Sequence, residues 1–93
     1  MTYVNYLELF NHVITHGTKQ DSKTVFEKFS AWHEIDGYTC YLQFKNVTIT
    51  LMFHSRLSYE YDQESELLEF QKAAKHAFDL IQDERSTHEE SRK

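Results

Sequence analysis

Between Tyr38 and His54 apolar and polar residues alternate. Tyr38, Cys40, Leu42 and Phe44 share one side of the first run, and Thr39, Tyr41 and Gln43 share the other. In the second run Val47, Ile49, Leu51 and Phe53 alternate with Thr48, Thr50, Met52 and His54. Successive side chains of a strand point to opposite faces, so this is a strand pattern. A two-residue turn at Lys45-Asn46 pairs Phe44 with Val47, Leu42 with Ile49, Cys40 with Leu51 and Tyr38 with Phe53. Every apolar member then falls on one face. The turn chemistry is only passable, because Asn46 takes positive φ readily and Lys45 does not.

Val25 to Ile35 reads as a preceding strand, and Asp36-Gly37 is a strong hairpin signal. A two-residue turn there pairs Ile35 with Tyr38, His33 with Cys40, Ala31 with Leu42 and Phe29 with Phe44. Trp32 then lies on the opposite face beside Tyr41. A three-residue turn with a glycine bulge would instead send Trp32 and Phe26 to the core and point Glu34 and Lys28 inward, which costs stability without partners. The first register is preferred.

Helical periodicity flanks these strands. Over residues 3–16, Val4, Leu7, Phe10 and Ile14 form a stripe, with Tyr6 and Val13 beside it. Thr2 or Asn5 can cap its start, Asn5 and Glu8 fit a capping box, and Gly17 suits a left-handed C′ position. Residues 18–24 are polar and read as a loop. Leu57, Tyr59 and Tyr61 alternate, enough for a short fourth strand. From Gln63 to about Glu84, Leu67, Phe70, Ala74, Ala77 and Ile81 make a second helical stripe with Phe78 alongside. Asp62 is its expected N-cap, and Glu64 and Glu66 suit the positive end of the helix dipole. The predicted fold is α+β, in the order α-β-β-β-α with three or four antiparallel strands. Residues 1–84 form one domain and 85–93 a polar tail expected to fray.

Composition narrows the setting. The chain has 93 residues, no Pro, one Cys and a net charge of −5 with neutral histidines. That balance disfavours a nucleic-acid partner, which needs a basic footprint. No apolar run is long enough to span a bilayer, and the start lacks the basic and apolar parts of a signal peptide. A single cysteine forms no internal disulfide. These features point to a soluble, cytoplasmic protein.

Candidate chemistry is sparse, and each candidate has a plainer explanation. His12 and His16 stand one helical turn apart and could bridge zinc or nickel, but no third ligand follows. Cys40 faces His33 in the preferred register, yet a thiol amid an apolar face behaves as a small hydrophobe. His54 with Tyr59 and Tyr61 could line a small polar pocket for acid-base work; a strand-end histidine tied to backbone is the simpler reading. Glu60, Asp62, Glu64, Glu66 and Glu69 could dock a basic partner or simply form a solvated helix start. No cofactor is implied.

The helix ending in His16-Gly17, the Asp36-Gly37-Tyr38-Thr39 hairpin, Phe53-His54 and the Tyr59-Glu60-Tyr61 stretch resemble a family of small gammaproteobacterial proteins, domain of unknown function 3081. The resemblance spans roughly residues 5–80. The loop after Gly17 and the tail after Glu84 are where the chain departs from the family pattern. The resemblance implies a bacterial, intracellular setting and no particular activity.

The sharpest functional signal is the second sheet face. Trp32, Tyr41, Thr50 and Met52 share it. The plainer reading is that one helix covers this face, or that the register slips and Trp32 is core. Residues of this kind are, however, enriched at interfaces. The leading expectation is therefore a non-enzymatic interaction module that self-associates, as a homodimer, through a sheet face or edge. An acidic inhibitor or immunity-type protein binding an unidentified basic partner is the alternative, and a histidine-based metal or acid-base site ranks third.

Overall fold

The computed structural model describes residues 1–52 and 54–91, with residues 85–91 described by backbone alone. Helix α1 (Tyr3–His16) precedes strands β1 (Thr18–Gln20), β2 (Lys23–Phe26), β3 (Phe29–His33), β4 (Cys40–Phe44), β5 (Val47–Met52) and β6 (Arg56–Glu60). Helix α2 (Glu64–Ser91) closes the chain. The strands form one antiparallel sheet of six in sequence order, each beside its chain neighbour. The α-β-α order and the α+β class are as expected, but three or four strands become six.

The extra strands arise from two turns with weak sequence signals. The stretch 25–35 breaks at Glu27-Lys28, where Glu27 has φ 54° and Phe26 pairs with Phe29. Residues 18–24, read as a loop, fold over Asp21-Ser22 into β1 and the start of β2, with Asp21 at φ 56°. Lys45 likewise sits at φ 53°. Left-handed backbone costs an ordinary residue roughly 1 kcal/mol. The pairing of flanking apolar residues offsets it: Phe26 with Phe29 and Phe44 with Val47.

The central register is the expected one. Phe44 pairs with Val47, Leu42 with Ile49 and Cys40 with Leu51; Phe29 pairs with Phe44, Ala31 with Leu42 and His33 with Cys40. The expected partner of Tyr38, Phe53, lies outside the described residues. Tyr38 itself does not join the apolar face: it is exposed, as is Ile35. The ladder stops at His33 and Cys40, and a wider loop replaces the two-residue turn. Glu34 N–H donates to Thr39 O (2.9 Å) and Gly37 N–H donates to Glu34 O (3.0 Å). Asp36 Oδ1 accepts from Tyr38 N–H at 2.8 Å, an Asx turn that Gly37 completes at φ +78°.

Both helices lie on the same face of the sheet. Tyr6, Leu9, Phe10 and Val13 of α1 and Phe70, Ala74 and Ile81 of α2 are buried with Phe29, Ala31, Leu42, Phe44, Val47, Ile49 and Leu51. Tyr6 stacks on Phe70 (6.0 Å) and meets Tyr59 edge-on (6.2 Å). The buried stripe of α1 therefore differs from the expected one: Val4 and Ile14 are exposed. Apolar residues ring most of α1, so periodicity admits two stripes. Packing selects the one that carries Tyr6 to Phe70.

Helix ends differ in detail as well. Thr2 caps α1, with Asn5 N–H donating to its Oγ1 at 3.3 Å. Gly17 is not left-handed: its φ is −80°. It is glycine because a Cβ there would lie 2.6 Å from Val13 O and 2.7 Å from Val25 O. At α2, Gln63 takes the capping position expected of Asp62, and its N–H donates to Glu66 Oε1 at 3.1 Å. The helix assignment runs on past Glu84 to Ser91. Within the expected tail, residues 92–93 and the side chains of 85–91 lie outside the described set. Among the described residues no helix is long and apolar enough to cross a membrane.

Candidate functional site: the uncovered face of the sheet

With both helices on one side, the other face of the sheet carries no covering layer among the described residues. The ladder sets its composition. Trp32 pairs with Tyr41, Tyr41 with Thr50 and Thr50 with Ser58, so these four form one row across β3 to β6. Lys23, next in β2, extends the row and places its Nζ 4.3 Å above the Trp32 ring. Trp32 and Tyr41 stack with ring centres 5.1 Å apart and planes 18° from parallel. Tyr41 O–H donates to Glu34 Oε1 at 2.7 Å. That hydrogen bond is the main cause holding the Tyr41 phenol above its ordinary range. Met52 lies in the neighbouring row, opposite Arg56. Trp32, Tyr41, Thr50 and Met52 are all half-buried without a helix above them. An aromatic centre with a polar rim is the usual anatomy of a protein contact surface.

The other candidate polar site is spread along β6. His54 lies in the turn before the strand, with Ser55, both at positive φ. Tyr61 follows the strand's far end, about 16 Å beyond Arg56 by strand rise. Tyr59 pairs with Ile49 and points to the helix side, where it meets Tyr6. Burial, and then the hydrogen bond to Tyr59, push the Tyr6 phenol well above its usual value.

Cys40 and His33 do stand opposite each other, as expected. Burial pushes the Cys40 thiol up, with the Asp36 carboxylate adding to the shift, which favours thiol over thiolate. His33 Nδ1–H donates to the Glu34 carbonyl at 2.8 Å, so that ring atom is already engaged. His12 and His16 have ring centres 4.3 Å apart, and His12 also meets Phe26 edge-on at 5.2 Å. Among the described residues no group of three His, Cys, Asp or Glu gathers to hold a metal.

Part of the acidic run is used within the chain. Glu69 pairs with Lys45, which holds its carboxyl below the usual range, and Glu66 Oε2 accepts from Asn46 Nδ2 at 3.0 Å. These contacts tie the β4–β5 turn to the first turns of α2. The other three members of the run, Glu60, Asp62 and Glu64, are exposed to solvent.

Two features escaped the sequence. Lys23 was hidden because its segment read as a loop. A groove of about 550 Å³ lies between α2 and the β2–β3 turn, floored by Phe29, Phe44, Ala73 and Ala77. It depends on where α2 crosses the sheet, which periodicity does not specify.

A family model described as "Protein of unknown function (DUF3081)" matches residues 1–87, in agreement with the resemblance noted above. No curated protein and no solved structure matches.

Proposed function

We propose that this chain, which belongs to the DUF3081 family of proteins of unknown function, is a small non-enzymatic interaction module that self-associates through its sheet. The observation that carries the reading is the placement of both helices on one face, which leaves the Trp32–Tyr41 stack outside the core. A single-layered aromatic surface with free sheet edges gains by meeting a second copy, both through apolar burial and through backbone pairing.

Sedimentation velocity over a wide concentration range tests the reading. The expected result is a mass that rises from monomer to dimer with concentration. A mass fixed at the monomer throughout would contradict it.

A further inference from the structure

The two ends of the sheet are β1 and β6. Which backbone groups they offer follows from the hydrogen-bond phase. Glu34 N–H donates to Thr39 O, so Glu34 and Thr39 form a hydrogen-bonded pair. In an antiparallel ladder such pairs alternate with non-bonded ones, and a residue that bonds to one neighbour turns no groups to the other. Moving along the ladder, Tyr41 and Gln43 address β3, while Cys40, Leu42 and Phe44 address β5. Thr48, Thr50 and Met52 then address β6 through Glu60, Ser58 and Arg56. Leu57 and Tyr59 are left with N–H and C=O pointing out of the sheet edge. The same count at β1 leaves only Lys19 facing outward between Thr18 and Gln20. That edge is short, exposed and charged, a common protection against pairing. The β6 edge carries the larger template.

The sequence of β6, Arg-Leu-Ser-Tyr-Glu, is also self-complementary about its centre. Laid antiparallel to a second copy with Ser58 on the two-fold axis, Arg56 meets the other copy's Glu60 at both ends. Leu57 meets Tyr59 on the helix side of the sheet, and these are the hydrogen-bonded pairs. Ser58 faces Ser58 at the non-bonded pair, where strands approach closest and a small side chain fits. Arg56 and Glu60 are exposed, and among the described residues neither forms an ion pair within the chain. They are about 13 Å apart along the strand, too far to neutralise each other directly. Moving the axis to Leu57 or Tyr59 loses both charge pairs.

We infer that two copies of this chain join edge to edge through β6, in the register Arg56–Glu60, Leu57–Tyr59 and Ser58–Ser58, so that two sheets become one. This rests on the self-association reading above and names its surface. A two-fold axis normal to the sheet keeps both Trp32–Tyr41 stacks on the same side of the joined sheet.

The test is a charge swap followed by sedimentation. Wild type is expected to dimerise. R56E places like charges opposite each other at both ends, as does E60R, and each is expected to weaken dimerisation by at least about tenfold. Mixing the two chains restores opposite charges at both positions, so the mixture is expected to form a one-to-one heterodimer. The double variant R56E/E60R is expected to recover the wild-type mass. Circular dichroism checks that each variant folds, which its exposed position favours. A wild-type dimer whose single variants remain dimeric, or whose mixture fails to associate, would overturn the β6 register and leave self-association standing. A monomeric wild type would overturn both.

Discussion

Trp32 and Tyr41 stack 5.1 Å apart as cross-strand partners, with Lys23 over the Trp32 ring and the Tyr41 hydroxyl bonded to Glu34. The pair is set by register, since among the described residues no helix packs on it. Its energy should therefore separate cleanly from core burial. A double-mutant cycle with Trp32→Ala and Tyr41→Ala, followed by urea denaturation of dilute protein, is expected to give a coupling of about 0.5–1.5 kcal/mol. Additive single effects would show that the two rings do not act together.

Gly17 separates a steric role from a conformational one. Its φ of −80° is open to any residue, but a Cβ would press on the carbonyls of Val13 and Val25. Gly17→Ala and Gly17→Asn are each expected to cost about 1–3 kcal/mol, because the obstacle is backbone on both sides. A left-handed cap would tolerate Asn far better than Ala. Denaturation midpoints of the two variants distinguish these cases.

Tyr6 makes stability fall at alkaline pH. Its phenol is raised above the ordinary value of 10.0 by burial first and by the Tyr59 hydrogen bond second. When the pH passes the unfolded value, the unfolded chain releases this proton and the folded chain keeps it. Stability then declines as pH rises. Below the unfolded value the full contribution is present. Tyr6→Phe is expected to cost about 1 kcal/mol at neutral pH through the lost hydrogen bond. It should also give a shallower decline above about pH 10. Equal slopes in the two proteins would contradict this origin.

What the sequence made legible was the part governed by strict alternation. The pairing of Leu42 with Ile49 and of Ala31 with Leu42 follows from it, because a one-residue slip would expose every apolar side chain. The placement of Trp32 beside Tyr41 followed from the same register. That both helices pack on the opposite face did not, because periodicity does not say which side of a sheet a helix takes. The two-residue Asp36-Gly37 turn did not form as drawn, because Asp36 captures Tyr38 N–H and the ladder ends early. The turns at Asp21 and Glu27 lack Gly or Asn, so their strands stayed hidden inside longer patterns. The phase of α1 was undecidable locally, since the choice between burying Val4 or Tyr6 is made by Phe70, far along the chain. The reach of β6 as an edge also needed the complete ladder, because the outward groups of Leu57 and Tyr59 are fixed by a hydrogen bond at Glu34.

Amide hydrogen exchange on the unmodified chain, read residue by residue at low and high protein concentration, bears most directly on self-association through the β6 edge. The N–H groups of Leu57 and Tyr59 are expected to exchange fast in dilute solution and to become protected as concentration rises. Those of Ser58 and Glu60, bonded to β5, should be protected in both. Fast exchange at Leu57 and Tyr59 at every concentration would contradict pairing through β6.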